Sequence, residues 1–449
     1  IRRPPRSTPS NSSAASDVYK RQFLEDVDYE VFEEVRDGEG WLKRARIGFV
    51  AEVPPLGYRV YRVRKSQLMG RVGRRRRVHR RDFVESPYLK VFFNPLTGVC
   101  RIVGRDGEEV VREFRLEVEN EVGSVYTHRD ISMDLVGVVA AEGDTSPNKP
   151  VFVVEDVWVE EGPLSQRVVF KESLYGCFWP YRLREHYGME FYRQKLMDVW
   201  KEVVVYRDLP WAEFRVRVLS RFPHVRLRAR FDMGFEGEYF ANTAFGVVKR
   251  EKEPREFPME DWVWYGSAER GVVLATQGIP GHEVRDGTIY LTLLRSVDLL
   301  SHGDKGPIVP VPDALELNRP YEYRFALFLC RGDWRSARAW EKAAAIANPL
   351  ISMHYLGKAE EKIKPLPSGE YSFLSLPQNV VLSCLKQSED GDSVILRCYE
   401  TAGTQTPLAL NIFKKPKEVL VSNITEEKEE ETEAIELKPF QILTLKLRF

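Results

Sequence analysis

A period of two runs through this chain and limits what it can fold into. Arg215-Val216-Arg217-Val218 and Arg226-Leu227-Arg228-Ala229-Arg230 alternate charged and apolar residues. Such alternation puts one face of a strand in a core and the other in solvent. Runs with strand character recur at 45–53, 58–63, 88–93, 99–103, 151–158, 166–173, 196–207, 212–219, 224–232, 271–276 and 288–294. They return near the C-terminus at 380–385, 393–399 and 440–449. Turn formers punctuate them: Pro54-Pro55-Leu56-Gly57, Asn94-Pro95-Leu96-Thr97-Gly98 and Arg105-Asp106-Gly107. The Asn94–Gly98 turn predicts a hairpin between its flanking strands. One segment breaks the pattern. The Ala-rich stretch 333–347 begins at a capping Asp and stops before Asn348-Pro349, so it predicts a helix.

The expected fold is therefore all-β with one notable helix. It divides into a large β-sandwich over 65–348 and a smaller C-terminal β-sandwich domain over 349–449, with a small β-segment at 23–64 ahead of them. Residues 1–22 are rich in Ser, Pro and Arg and lack periodicity and an apolar h-region. They read as adapter- or vector-derived sequence or as a native disordered tail, and in either case stand outside the fold. The acidic stretch 423–433 reads as a solvent-facing loop or sheet edge.

Charge and cysteine use remove several function classes. Lys+Arg and Asp+Glu both number 67, so the formal charge is zero and no chain-wide polyanion role follows. The Arg-rich run 71–81 is the one candidate for a nucleic-acid patch. It lacks interleaved aromatics and reads more simply as a solvated basic loop. Five Cys with no CxxC pair argue against a disulfide scaffold or zinc ribbon, and fit a reducing, cytoplasmic setting. No apolar run reaches the roughly 18 residues of a membrane-spanning helix. The expectation is no nucleic acid, no membrane, and an open possibility of a homo-oligomer. Walker A, G-x-S-x-G, H-E-x-x-H and Rossmann signatures are absent, and the seven His are scattered.

A set of short motifs carries a resemblance. They are Pro54-Pro55-Leu56-Gly57-Tyr58, Phe92-Phe93-Asn94-Pro95-Leu96-Thr97-Gly98, Gly123-Ser124-Val125-Tyr126 and Phe245-Gly246 with Arg250. Further on come Gly278-Ile279-Pro280 with Glu283-Val284, Leu291-Thr292-Leu293-Leu294-Arg295-Ser296, and Arg397-Cys398-Tyr399-Glu400-Thr401 with Gly403. In order and spacing, over roughly 42–449, these resemble the post-catalytic β-region of glycoside hydrolase family 38 α-mannosidases. The large sandwich of that family is itself mutarotase-like.

The resemblance implies a retaining α-mannosidase. An Asp nucleophile forms a glycosyl-enzyme intermediate, and a second carboxyl serves as acid/base. A zinc ion grips the mannosyl hydroxyls. In such enzymes the nucleophile and zinc ligands lie in and just after an N-terminal α/β domain, to which nothing in this chain looks similar. The implied partners are an α-mannoside substrate and that N-terminal domain, with no catalytic residue or metal ligand in this chain.

Two residues here are substrate-binding candidates. Tyr126 occupies the position of a family tyrosine near the bound sugar, or is a core or turn tyrosine. Arg295, at the end of an apolar run, reaches a sugar hydroxyl or holds a carboxylate in a structural ion pair. His128 and Arg129 follow Tyr126 in the same loop. After Arg295 the sequence Ser296-Val297-Asp298-Leu299-Leu300-Ser301 departs from the common family pattern, which puts aglycone preference in doubt. Two other classes stay open. One is a non-catalytic carbohydrate-binding sandwich stacking sugars on Trp158, Trp179, Trp200, Trp211, Trp262 or Trp264. The other is an interaction protein using the 71–81 loop.

Overall fold

The computed structural model describes residues 22–24, 27–39, 42–65, 73–79, 81–128, 150–176, 194–301, 307–353, 366–367, 369–432 and 435–449. Residues 1–21 of the expected tail, Trp179 and Arg129 lie outside them, while Gln22 opens the short strand Gln22–Leu24. The chain forms two compact units. The larger takes in Arg75–Ala241 and Lys249–Pro349, and the smaller Ile1–Arg74, Asn242–Val248 and Leu350–Phe449. The fold is β-rich, as the alternation predicts.

Two antiparallel sheets build the larger unit. The eight-stranded sheet has the order Phe257–Pro258, Gly281–Arg285, Thr288–Arg295, Val225–Met233, Glu109–Asn120, Cys100–Gly104, Leu89–Phe93, Phe83–Glu85. The central strands of the second sheet are Gly271–Gln277, Pro320–Cys330, Trp211–Ser220, Gln194–Tyr206, Ser165–Gly176 and Val151–Glu161. Their inward faces meet in one core. Phe114 and Phe231 come from the first sheet and Phe214 and Phe325 from the second, and all four are fully buried. The Phe114 and Phe214 rings lie 4.6 Å apart across the sandwich. Cys100–Gly104 pairs with Leu89–Phe93 in the hairpin that the Asn94–Gly98 turn predicts.

Three features differ from the sequence reading. The helix is Ala339–Ala347, shorter than 333–347. Asp333 does cap, but it caps a turn: its Oδ1 accepts from the Ser336 N–H at 2.9 Å and from Oγ at 2.8 Å. Arg338 then takes a left-handed φ of 50° and delays the helix by a turn. The basic run is not simply a solvated loop. Arg76–Val78 is an edge strand paired with Val159–Glu161. Its neighbours are acids, with Arg75 3.6 Å from Glu160 and Arg76 3.6 Å from Glu161. Opposite charges across the sheet account for Arg75 and Arg76 in the described part of the run.

The third difference is Lys201, which alternation places in the core. Its Nζ donates to the Gly98 carbonyl at 2.7 Å and lies 2.6 Å from Glu172, itself buried. A buried charge is held by a partner and by hydrogen bonds.

In the smaller unit, Gly57–Arg59 pairs with Glu370–Ser372 through Tyr58 and Tyr371. A five-stranded sheet of Val380–Gln387, Val394–Glu400, Ile442–Arg448, Glu418–Ser422 and Glu429–Glu431 closes it over Leu396, Cys398, Leu445 and Leu447. The acidic stretch supplies the exposed edge strand Glu429–Glu431. The buried Glu400 carboxylate accepts from the Ala402 and Gly403 N–H groups at 2.7 and 2.8 Å and from Asn379 Nδ2 at 2.8 Å. Among the described residues, no helix is long and apolar enough to cross a membrane.

Candidate functional site

The strand Glu109–Asn120 ends where Val225–Met233 begins, with Asn120 opposite Val225. Thr288–Arg295 ends beside them, with Arg295 opposite Arg226. The chain segments around 121–128, 221–224 and 296–299 therefore gather at one end of the eight-stranded sheet. Backbone bonds tie them: Glu121 N–H donates to His224 O at 2.9 Å, and Val125 N–H to Leu299 O at 2.9 Å.

Glu121 is the centre of this cluster, and its side chain is fully buried. Oε1 accepts from the Gly123 N–H at 2.9 Å. Oε2 accepts from Arg295 Nε at 2.7 Å and lies 2.8 Å from His128 Nδ1. Burial pushes the Glu121 carboxyl up, but hydrogen bonds from His128 and Arg295, with the guanidinium charge, outweigh it and hold it down at about 2. A group so strongly ionised is a poor proton donor near neutral pH.

Arg295 reaches further along the loop. Its Nη1 donates to Val125 O at 3.2 Å and its Nη2 to Ser124 O at 2.9 Å. The guanidinium has five N–H donors. Among the described residues three are engaged, which leaves two for another acceptor. Ser124 N–H donates to Thr127 O at 2.8 Å and closes a tight turn. Tyr126 stands at the tip of that turn with 78% of its surface exposed. Its phenol can both donate and accept. On the far side, His224 Nε2 lies 3.6 Å from Asp298.

The structure thus brings Tyr126, Arg295 and His128 into one loop assembly. Arg295 does hold a carboxylate, and Tyr126 is a turn tyrosine that faces outward. Glu121 escaped the sequence reading. The signal was present in acids at 113, 117, 119 and 121, which alternate along one strand and run on past its end. Of the six Trp considered for stacking, Trp262 and Trp264 are buried. Trp158 and Trp200 are half-buried, with Arg77 4.5 Å over the first ring and Arg217 5.6 Å from the second. Among the described residues, no group of three or more His, Cys, Asp or Glu can hold a metal ion. These residues offer zinc no fitting ligand set.

Comparison with known proteins decides the family. The model of the glycosyl hydrolases family 38 C-terminal domain matches residues 84–299, and that of the family 38 C-terminal beta sandwich domain matches 379–445. The chain belongs to glycosyl hydrolase family 38. The first match contains Glu121, Tyr126 and Arg295, and the second contains Glu400.

A Halalkalibacterium halodurans protein with the provisional name mannosylglycerate hydrolase is 29% identical over 240 residues, 49% of this chain and 25% of that protein. A solved family 38 protein from Enterococcus faecalis superposes with a TM-score of 0.71 at 17% identity, covering 96% of this chain and 51% of the other. A solved α-mannosidase from Enterococcus faecalis V583 gives 0.67 at 16% identity, covering 95% and 49%. The chain spans about half the length of these two solved proteins, and their likeness supports the fold.

Proposed function

We propose that this chain is the C-terminal part of a retaining α-mannosidase that acts on terminal α-mannosyl linkages of glycans or small mannosides. The observation that carries the reading is Tyr126, displayed on a turn that Arg295 braces, within the segment matching the family. In this reading Tyr126 and the free donors of Arg295 bind hydroxyls of the sugar. The nucleophile, the acid/base carboxyl and the zinc ligands belong to an N-terminal catalytic half. The contribution of this chain is to bind and orient the sugar. A hydrogen bond to a sugar hydroxyl is worth about 0.5–1.5 kcal/mol, and about 1.5–3 kcal/mol where one partner is charged.

The test is hydrolysis of p-nitrophenyl α-mannoside by the complete enzyme with zinc. Tyr126→Phe is expected to lower kcat/KM by about 10-fold, and Arg295→Ala by more, because it also frees the loop carbonyls. Kinetics unchanged in both variants would remove these residues from the sugar pocket.

A further inference from the structure

We propose that Glu121 is the positioning residue of this site: it touches no substrate, but anchors the guanidinium and the turn that together fix Tyr126. The proposal deepens the sugar-pocket reading and rests on it.

The geometry separates the roles. Both Glu121 oxygens are engaged inside the fold, one by the Gly123 N–H and the other by Arg295 and His128. The side chain is fully buried, so it presents nothing to a ligand. Yet it grips the loop from both sides of Tyr126. Gly123 lies three residues before the tyrosine and His128 two after it. Arg295, held at Nε by the carboxylate, carries the bonds to Ser124 O and Val125 O at 2.9 and 3.2 Å. Removing the negative charge loosens Arg295 and His128 together, because a neutral amide holds a guanidinium less strongly than a carboxylate does. The guanidinium loses its fixed end, and the exposed tip loses the contacts that set its direction. A buried charged anchor of this kind fixes geometry as well as energy.

The experiment has two arms. In the full chain, amide hydrogen exchange is followed across 121–128 for wild type, Glu121→Gln and Glu113→Gln. Glu113 lies on the same strand but pairs with Arg115 and Arg230 at 2.8 and 3.0 Å, away from the loop. Exchange at Gly123 to Thr127 is expected to rise at least 10-fold in Glu121→Gln and to stay unchanged in Glu113→Gln. Should Glu121→Gln fail to fold, Arg295→Lys keeps the charge while losing the forked bonds, and is expected to give the same loop signature. Unchanged exchange overturns the proposal.

In the complete mannosidase, kcat/KM is compared for Glu121→Gln, Tyr126→Phe and the double variant. A residue acting through Tyr126 predicts a double variant no worse than Tyr126→Phe. Multiplying losses overturn the route through Tyr126. If Tyr126→Phe alone leaves kcat/KM unchanged, Tyr126 has no part in the sugar pocket, while the exchange arm still decides whether Glu121 holds the turn.

Discussion

At position 295 one guanidinium does two jobs of different visibility. Its carboxylate and carbonyl partners are spread over residues 121–125, more than 160 positions away, so no local pattern could pair them. Tyr126 and Arg295 were legible only as parts of motifs, and Glu121 only as the last of a row of alternating acids that names no role. The buried acid leaves a thermodynamic signature. Its carboxyl sits at about 2 in the folded chain, below the ordinary 4.5. A depressed pKa contributes stability that is complete above pH about 4.5 and disappears as pH falls toward 2. Tyrosine fluorescence or amide exchange at 121–128 is expected to report loosening of the loop across that window. The Glu121→Gln chain is expected to lack that step. An acid transition identical in both chains would show that Glu121 does not carry it.

Among the elements, alternation located many sandwich strands and missed two that lie centrally in their sheets. Glu109–Asn120 begins with Val110-Val111 and carries a register shift between Val111 and Glu113, which hides its period of two. Pro320–Cys330 turns into a buried apolar run that lacks alternation. The helix was half legible, because an Asp that caps a turn looks like an Asp that caps a helix. Leu293 lies in the core at 7% exposure. Leu293→Ala is expected to cost about 2–5 kcal/mol, read as a lower denaturation midpoint. Gly98 has a φ of +71°, and a Cβ there would collide with Glu172 Oε1. Gly98→Ala therefore meets both a left-handed backbone and the buried Lys201–Glu172 pair. The expected loss is about 2–4 kcal/mol in denaturant unfolding. An unchanged midpoint would mean the hairpin can shift away from that pair.

For the whole molecule, the proposal is a division of labour between this chain and an N-terminal catalytic half. The chain covers about half the length of the two solved family 38 proteins it matches, and the role proposed for its 121–128 loop is to orient the sugar. The C-terminal sheet, with Glu400 gathering backbone N–H groups of its own unit, reads as support. The most direct measurement is p-nitrophenyl α-mannoside hydrolysis after co-expressing this chain with the N-terminal half of its own enzyme, zinc supplied. The account predicts activity only when both parts are present, reduced when the chain carries Tyr126→Phe. Hydrolysis by the chain alone, or activity indifferent to Tyr126, would contradict it.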